Sequence, residues 1–147
     1  NRLEEIRADL NSEIARGLLE VEREGDMIVI RLASQGSFES GSALLQSGFR
    51  NTLAQVSESI GIGVSMVRVE GHTDNVPMAF SERFRSNWDL SAARSAAVAD
   101  YLLNNSPVAD GRVTVTGFAD TKPLASNDSP AGRSKNRRIE VIINGGS

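Results

Sequence analysis

Two side chains in this sequence have types and positions that suit recognition chemistry, Asp74 and Arg94. They bracket the stretch from Gly71 to Arg94, GHTDNVPMAFSERFRSNWDLSAAR. The residues after Ser86 follow a helical period. On that helix Arg94 falls about 40° from Leu90, inside the apolar sector of Leu90, Ala97, Val98 and Tyr101. A guanidinium on the buried side of a helix is costly unless it is paired and hydrogen-bonded, so Arg94 requires an acceptor from outside its own helix. Asp74 is the best candidate. It stands at the C-terminal end of a predicted strand, a common ligand-binding position in open α/β sheets. The helix start near Ser86 and Asn87 adds unpaired backbone N–H groups. An acid, a guanidinium and amide donors together match a ligand that carries both an ammonium and a carboxylate, such as an amino-acid head group. A plain Asp74–Arg94 ion pair locking the crossover is an equally open reading.

The other polar residues read more simply. His72 is the sole histidine, and with only Asp74 beside it a metal site lacks ligands. It is expected to be a hydrogen-bonded structural residue. No nucleophile elbow is present, so a hydrolase is disfavoured, no catalytic residue is assigned and no cofactor is expected. Asn87 suits a helix cap and Asp89 complements the helix dipole. Arg133, Lys135, Arg137 and Arg138 form a basic cluster. Arg137 and Arg138 point to opposite faces of a strand, so one of them can reach the site. Phe84, Trp88 and Phe38 are expected to pack.

The elements that must hold these residues follow from periodicity. Residues 3–16 form an amphipathic helix with a narrow stripe of Leu3, Ile6, Leu10 and Ile14, either docked on the domain or pairing with a second copy. Gly17 ends it. Leu18 to Glu24 and Met27 to Ala33 read as a hairpin. A helix spans about Ala43 to Ile60, a strand Ser65 to Glu70, and the Arg94 helix about Ser86 to Asn104. A strand covers Arg112 to Phe118 with Val113 and Val115 inward. Residues 119–135 read as a polar loop and Arg137 to Asn144 as the last strand. Helices between single strands imply crossovers, and the closing pair brings in antiparallel pairing. The expected fold is α/β (α+β), a mixed sheet with helices on one face, divided into a linker helix over 1–16 and a domain over 17–147.

The 147 residues are 39% hydrophobic and 24% charged, with no cysteine, which suits one globular domain and excludes disulfides and thiolate sites. The net charge of −3 disfavours nucleic acid as a partner. No apolar run reaches the ~18 residues of a membrane span. The chain opens on Asn1 rather than Met, and reads as a fragment of a longer protein.

Asn87-Trp-Asp-Leu90-Ser91-Ala-Ala-Arg94, followed by Val98 and Leu102, resembles the NxxLSxxRAxxVxxxL pattern of OmpA-like peptidoglycan-binding domains. GHTD before it and Asn136-Arg137-Arg138-Ile139-Glu140 after it are similar to that family too. GHTDNVP and SNWDLSAAR look more like flagellar motor stator B subunits (MotB/PomB type) than like OmpA or Pal. The insert from Asn75 to Arg85 sets this subfamily apart and reads as a place for regulation. Ser95 departs from the usual Ala, and Ser37-Phe38-Glu39 lacks an acid-rich FDF pattern. The resemblance implies an OmpA-like sandwich and non-catalytic binding of the diaminopimelate in peptidoglycan stem peptides. It places the key acid and arginine at Asp74 and Arg94, with Thr73, Asn87, Leu90, Asn136 and Arg137 in support. It also implies a periplasmic domain of a single-span inner-membrane protein, a homodimer, and a membrane partner of the MotA/PomA type.

Overall fold

A computed structural model describes residues 1–34, 36–61, 64, 66–78 and 83–145. Ser65, at the head of one expected strand, and residues 79–82 of the insert lie outside the described residues. The helices are α1 (Arg2–Asp9), α2 (Asn11–Ala15), α3 (Ser47–Ile60), α4 (Asn87–Asn105) and α5 (Pro130–Asn136). The strands are β1 (Leu19–Glu24), β2 (Met27–Ala33), β3 (Val67–His72), β4 (Val113–Gly117) and β5 (Arg138–Asn144). They form one sheet in the order β1-β2-β5-β3-β4. Only β3 and β4 run parallel, joined by the crossover through α4; the other neighbours are antiparallel.

Alternation along the strands sorts the two faces. Leu19, Val21, Ile28, Ile30, Leu32, Val67, Val69, Ile139, Val141 and Ile143 turn to one side, where Ile6 and Leu10 of the N-terminal segment, Phe49, Leu53, Val56 and Ile60 of α3, and Val98, Ala99 and Leu102 of α4 complete the core. The helices therefore cover one face of a mixed sheet, as the sequence implies. The opposite face carries a row of charges in register, Glu20–Arg31–Glu140–Glu70. No helix of the described residues is long and apolar enough to cross a membrane.

Four local expectations change. The N-terminal helix breaks at Leu10 into α1 and α2, and Ile6 and Leu10 are fully buried. Helix α3 starts at Ser47, not Ala43. Gln46 is extended and its N–H donates to the Ser37 carbonyl, which ties the preceding residues to the neighbouring loop. The polar loop contains α5, signalled by Ser129, whose Oγ caps Gly132 N–H at 3.0 Å, and by Pro130 in the first turn. Val113 is half-buried, but Val115 is 42% exposed, because β4 is an edge strand and lies at the limit of helix coverage.

Contact between α4 and the sheet is unusually close. A Cβ on Gly71 would lie 2.3 Å from the Ser91 carbonyl oxygen, and one on Gly117 would lie 2.5 Å from Ala92 N. Only glycine admits that approach. Ser95 sits at the contact: its Oγ lies 2.8 Å from the Ser91 carbonyl of its own helix and 3.0 Å from the Thr116 carbonyl of β4, and its one proton is shared between these two acceptors. The serine that departs from the family pattern thus serves the helix–sheet seam.

Candidate functional site

Helix α4, seated on the two glycines, delivers Arg94 to one end of the sheet. There the chain leaves β3 through Thr73 and Asp74. Thr73 N–H donates to the Ala119 carbonyl at 2.8 Å, and Ala119 N–H donates to Ser91 Oγ at 3.1 Å. Ala119 is buried and sits at φ 51, in the left-handed region that disfavours a side chain. Pinned from both sides, it couples α4 to the exit of β3. Nothing in the sequence marks this alanine.

An open cavity of about 970 Å³ lies at this end. Asp74, Thr73, Asn87, Leu90, Arg94 and Arg137 all line it, with Phe38 and Met78 as apolar walls. Asp74 is buried; its Oδ1 accepts from Val76 N–H at 3.0 Å, and its Oδ2 lies 2.5 Å from Arg137 Nη1. Thr73 Oγ1 donates to the Asp74 carbonyl at 2.8 Å. Asn87, the first residue of α4, donates through Nδ2 to the Val76 carbonyl at 3.0 Å, so it holds the 74–76 turn against the helix; the cap itself is Ser86.

Arg94 is buried but does not pair with Asp74. Its Nε donates to the Ser42 carbonyl at 2.8 Å and its Nη2 to the Glu39 carbonyl at 3.0 Å. Its guanidinium lies 4.8 Å from the centre of the Phe38 ring, a cation–π contact. The expected ion pair is thereby corrected. Loop carbonyls satisfy the guanidinium, and Arg137 neutralises the acid. Burial, reinforced by repulsion from Arg137, lowers the Arg94 pKa to about 10, which leaves it cationic at neutral pH. Its Nη1 makes no hydrogen bond with the described residues.

Asn136 is the one expected site residue that the structure keeps away from the cavity. It is fully buried. Its Oδ1 accepts from Leu124 and Ala125 N–H at 2.7 and 3.0 Å, and its Nδ2 donates to the Ala125 carbonyl and Asn127 Oδ1. Its role is to shape the 124–127 loop and the turn before Arg137. Arg138 points to the opposite face, as strand parity requires, and donates to Glu140 Oε2 at 2.7 Å.

His72 lies on that opposite face, stacked on Phe118 with 5.3 Å between ring centres. Contrary to expectation its ring nitrogens make no hydrogen bond among the described residues; Glu70 Oε1 lies 3.5 Å from Nε2. Glu70, His72 and Glu140 offer donor atoms within 4.8 Å of one another. The two carboxylates are already matched by guanidiniums: Arg138 and Arg31 on Glu140, Arg68 on Glu70. A metal ion there would face three cations.

The OmpA family model matches residues 37–137. Motility protein B of Bacillus subtilis is 35% identical over 127 residues, 85% of this chain and 48% of that protein. Peptidoglycan-binding protein ArfA of Mycobacterium tuberculosis is 42% identical over 78 residues, 53% of this chain and 22% of that protein. The chain thus spans about half or less of these relatives. Among solved structures, the cell wall anchor of the T6SS from Pseudomonas aeruginosa superposes with a TM-score of 0.87 at 35% identity, covering 95% of this chain and 96% of that one. A MotB-like protein from Desulfovibrio vulgaris gives 0.89 at 28% identity, covering 97% and 91%. With the family model matched over residues 37–137 and a mixed five-stranded sheet that superposes on these structures, the chain belongs to the OmpA family.

Proposed function

We propose that this chain is a non-catalytic anchor that binds peptidoglycan in the Asp74–Arg94–Arg137 cavity, through the free zwitterionic end of diaminopimelate. The observation that carries this reading is the separation of charge around one cavity. Asp74 offers a carboxylate on one wall, while Arg94 is held open by two loop carbonyls with Nη1 unspent. The ligand ammonium goes to Asp74 and its carboxylate to Arg94 Nη1. Arg137 exchanges Asp74 for the same carboxylate, so the pair broken on entry is replaced by charge-assisted bonds of like strength. Thr73 and Asn87 keep the Asp74 turn in place, and Leu90 supports the ligand's methylene stem. No bond is made or broken, so the affinity rests on hydrogen bonds, charge and fit.

The likeness to motility protein B favours a role as the wall-fixing part of a flagellar stator. In that reading the domain is periplasmic, belongs to a single-span inner-membrane protein, works as a homodimer and joins a MotA/PomA-type membrane subunit. The equally close likeness to a secretion-system wall anchor favours a second host machine, with the same ligand chemistry. Cosedimentation with purified peptidoglycan tests the shared part. Wild type is expected in the pellet, and Asp74→Asn and Arg94→Ala in the supernatant. Equal pelleting of all three would remove the cavity from the function.

A further inference from the structure

The basic cluster ahead of β5 splits in two. Residues four apart on a helix share a face, and Arg137 N–H donates to the Arg133 carbonyl at 3.1 Å, one turn back along α5. Arg133 and Arg137 therefore stand side by side, and both line the cavity of Asp74 and Arg94. Lys135, between them in sequence, is exposed and stays outside it. Like charges at this spacing work against a helix, a cost that a bound anion removes.

Arg133 is fixed in place. A Cβ on Gly132 would overlap the Ser126 carbonyl oxygen, so α5 seats directly on the 124–127 loop. Buried Asn136 holds that loop, and the loop gives its Asn127 carbonyl to Arg133 Nη1 at 2.8 Å. Arg133 Nε and Nη2 make no hydrogen bond with the described residues, and no carboxylate among them pairs with Arg133.

The charge in the cavity does not balance. Arg94, Arg133 and Arg137 line it, and Asp74 is the sole acid among its described lining residues. A zwitterion brings one charge of each sign and leaves that surplus unchanged. Guanidiniums gathered around a single acid suit a ligand with a further anion. A stem peptide carries two. A glutamate joined through its side chain keeps its α-carboxylate one residue before diaminopimelate, and the chain ends in a carboxylate after it. We propose that Arg133 is a second carboxylate site of this cavity, taking one of these two groups while Arg94 and Arg137 hold the carboxylate of the zwitterion. This rests on the peptidoglycan reading above and names a further ligand group that the site selects.

Calorimetric titration with soluble stem tetrapeptides tests it, the diaminopimelate end kept free in all of them. One peptide has both other carboxylates free, one is amidated at the glutamate, one at the C-terminus and one at both. Wild type is expected to bind the doubly amidated peptide about fivefold more weakly than the free one, the loss of one half-exposed charged contact. The singly amidated peptide that shows the loss identifies the carboxylate. Arg133→Gln is expected to bind the free and doubly amidated peptides equally, with an unchanged circular dichroism spectrum and an intact preference for diaminopimelate over lysine. Arg133→Lys keeps the charge without the planar fork and is expected to retain a reduced preference for the free peptide. If Arg133→Gln unfolds, the wild-type series and Arg133→Lys decide. Equal wild-type affinity for the free and doubly amidated peptides, or a preference undiminished in the variants, overturns the Arg133 site and leaves zwitterion binding in place. A wild type that does not distinguish diaminopimelate from lysine overturns both.

Discussion

Asp74 and Arg94 line the same cavity without forming a salt bridge; the cation on Asp74 Oδ2, 2.5 Å away, is Arg137 Nη1. The acid is thus neutralised by Arg137, while Nη1 of Arg94 makes no hydrogen bond among the described residues. Asp74, Arg94 and Arg137 together carry a net positive charge, which favours a ligand whose carboxylate enters as well as its ammonium.

Removing Arg137 strands a buried carboxylate. Arg137→Ala is expected to lower stability by about 1–2 kcal/mol, at the low end for a broken ion pair because the Arg137 side chain is 38% exposed and partly screened. Urea unfolding measures this, with no change in m expected. The same variant is expected to bind peptidoglycan more weakly.

Arg94→Lys tests geometry at constant charge. An ammonium cannot serve the Ser42 and Glu39 carbonyls and a ligand carboxylate in the fixed planar arrangement of a guanidinium. Binding is expected to fall roughly tenfold or more, about 1.4 kcal/mol, while net charge is unchanged. Cosedimentation at graded peptidoglycan concentrations reads the shift.

Gly71→Ala drives a methyl into the Ser91 backbone at the seat of α4. Overpacking of this kind costs about 1–3 kcal/mol, and the shift it forces displaces Arg94. Thermal unfolding is expected to drop, and binding with it, although residue 71 does not touch the cavity. Ser95→Ala, which removes the hydroxyl tie to Thr116 but adds no atoms, is expected to cost only about 1 kcal/mol and to leave binding intact.

Glu140 governs an acid limb on the far face. Burial alone would raise its pKa, but Arg138 and Arg31 outweigh burial and hold it below the usual carboxylate value. The folded pKa is lower than the unfolded one. The stabilisation is therefore present above the unfolded pKa of about 4.3 and disappears as pH falls through the folded value. Glu140→Gln is expected to be less stable at neutral pH and to show a flatter loss of stability below about pH 4.3. Urea midpoints across an acid pH series check both.

Much of the cavity lining is legible in the sequence. Helical phase marked Arg94 as a buried cation, the strand end marked Asp74, and strand parity allowed one of Arg137 and Arg138 to arrive. The pairing itself was hidden for a physical reason. Arg94 is satisfied by backbone carbonyls of residues 39 and 42, and every residue carries a carbonyl, so no side-chain signature exists. The motif around Asn136 points to the site, yet its side chain holds a loop that only the folded chain brings together. Helix α5 did leave a sequence signal, Ser129-Pro130, obscured by the polar composition around it. Val115 follows strand alternation correctly but stands at an edge, and sheet order is set by long-range pairing that alternation cannot reveal.

The most direct test is calorimetric titration of the chain with two soluble stem peptides that differ at one group. One ends its side chain in diaminopimelate, with ammonium and carboxylate; the other carries lysine, with ammonium alone. The diaminopimelate peptide is expected to bind at least about tenfold more tightly, about 1.4 kcal/mol, with the difference abolished in Arg94→Ala. Equal affinity for both peptides, or a preference that survives Arg94→Ala, would contradict recognition of a zwitterion by this cavity.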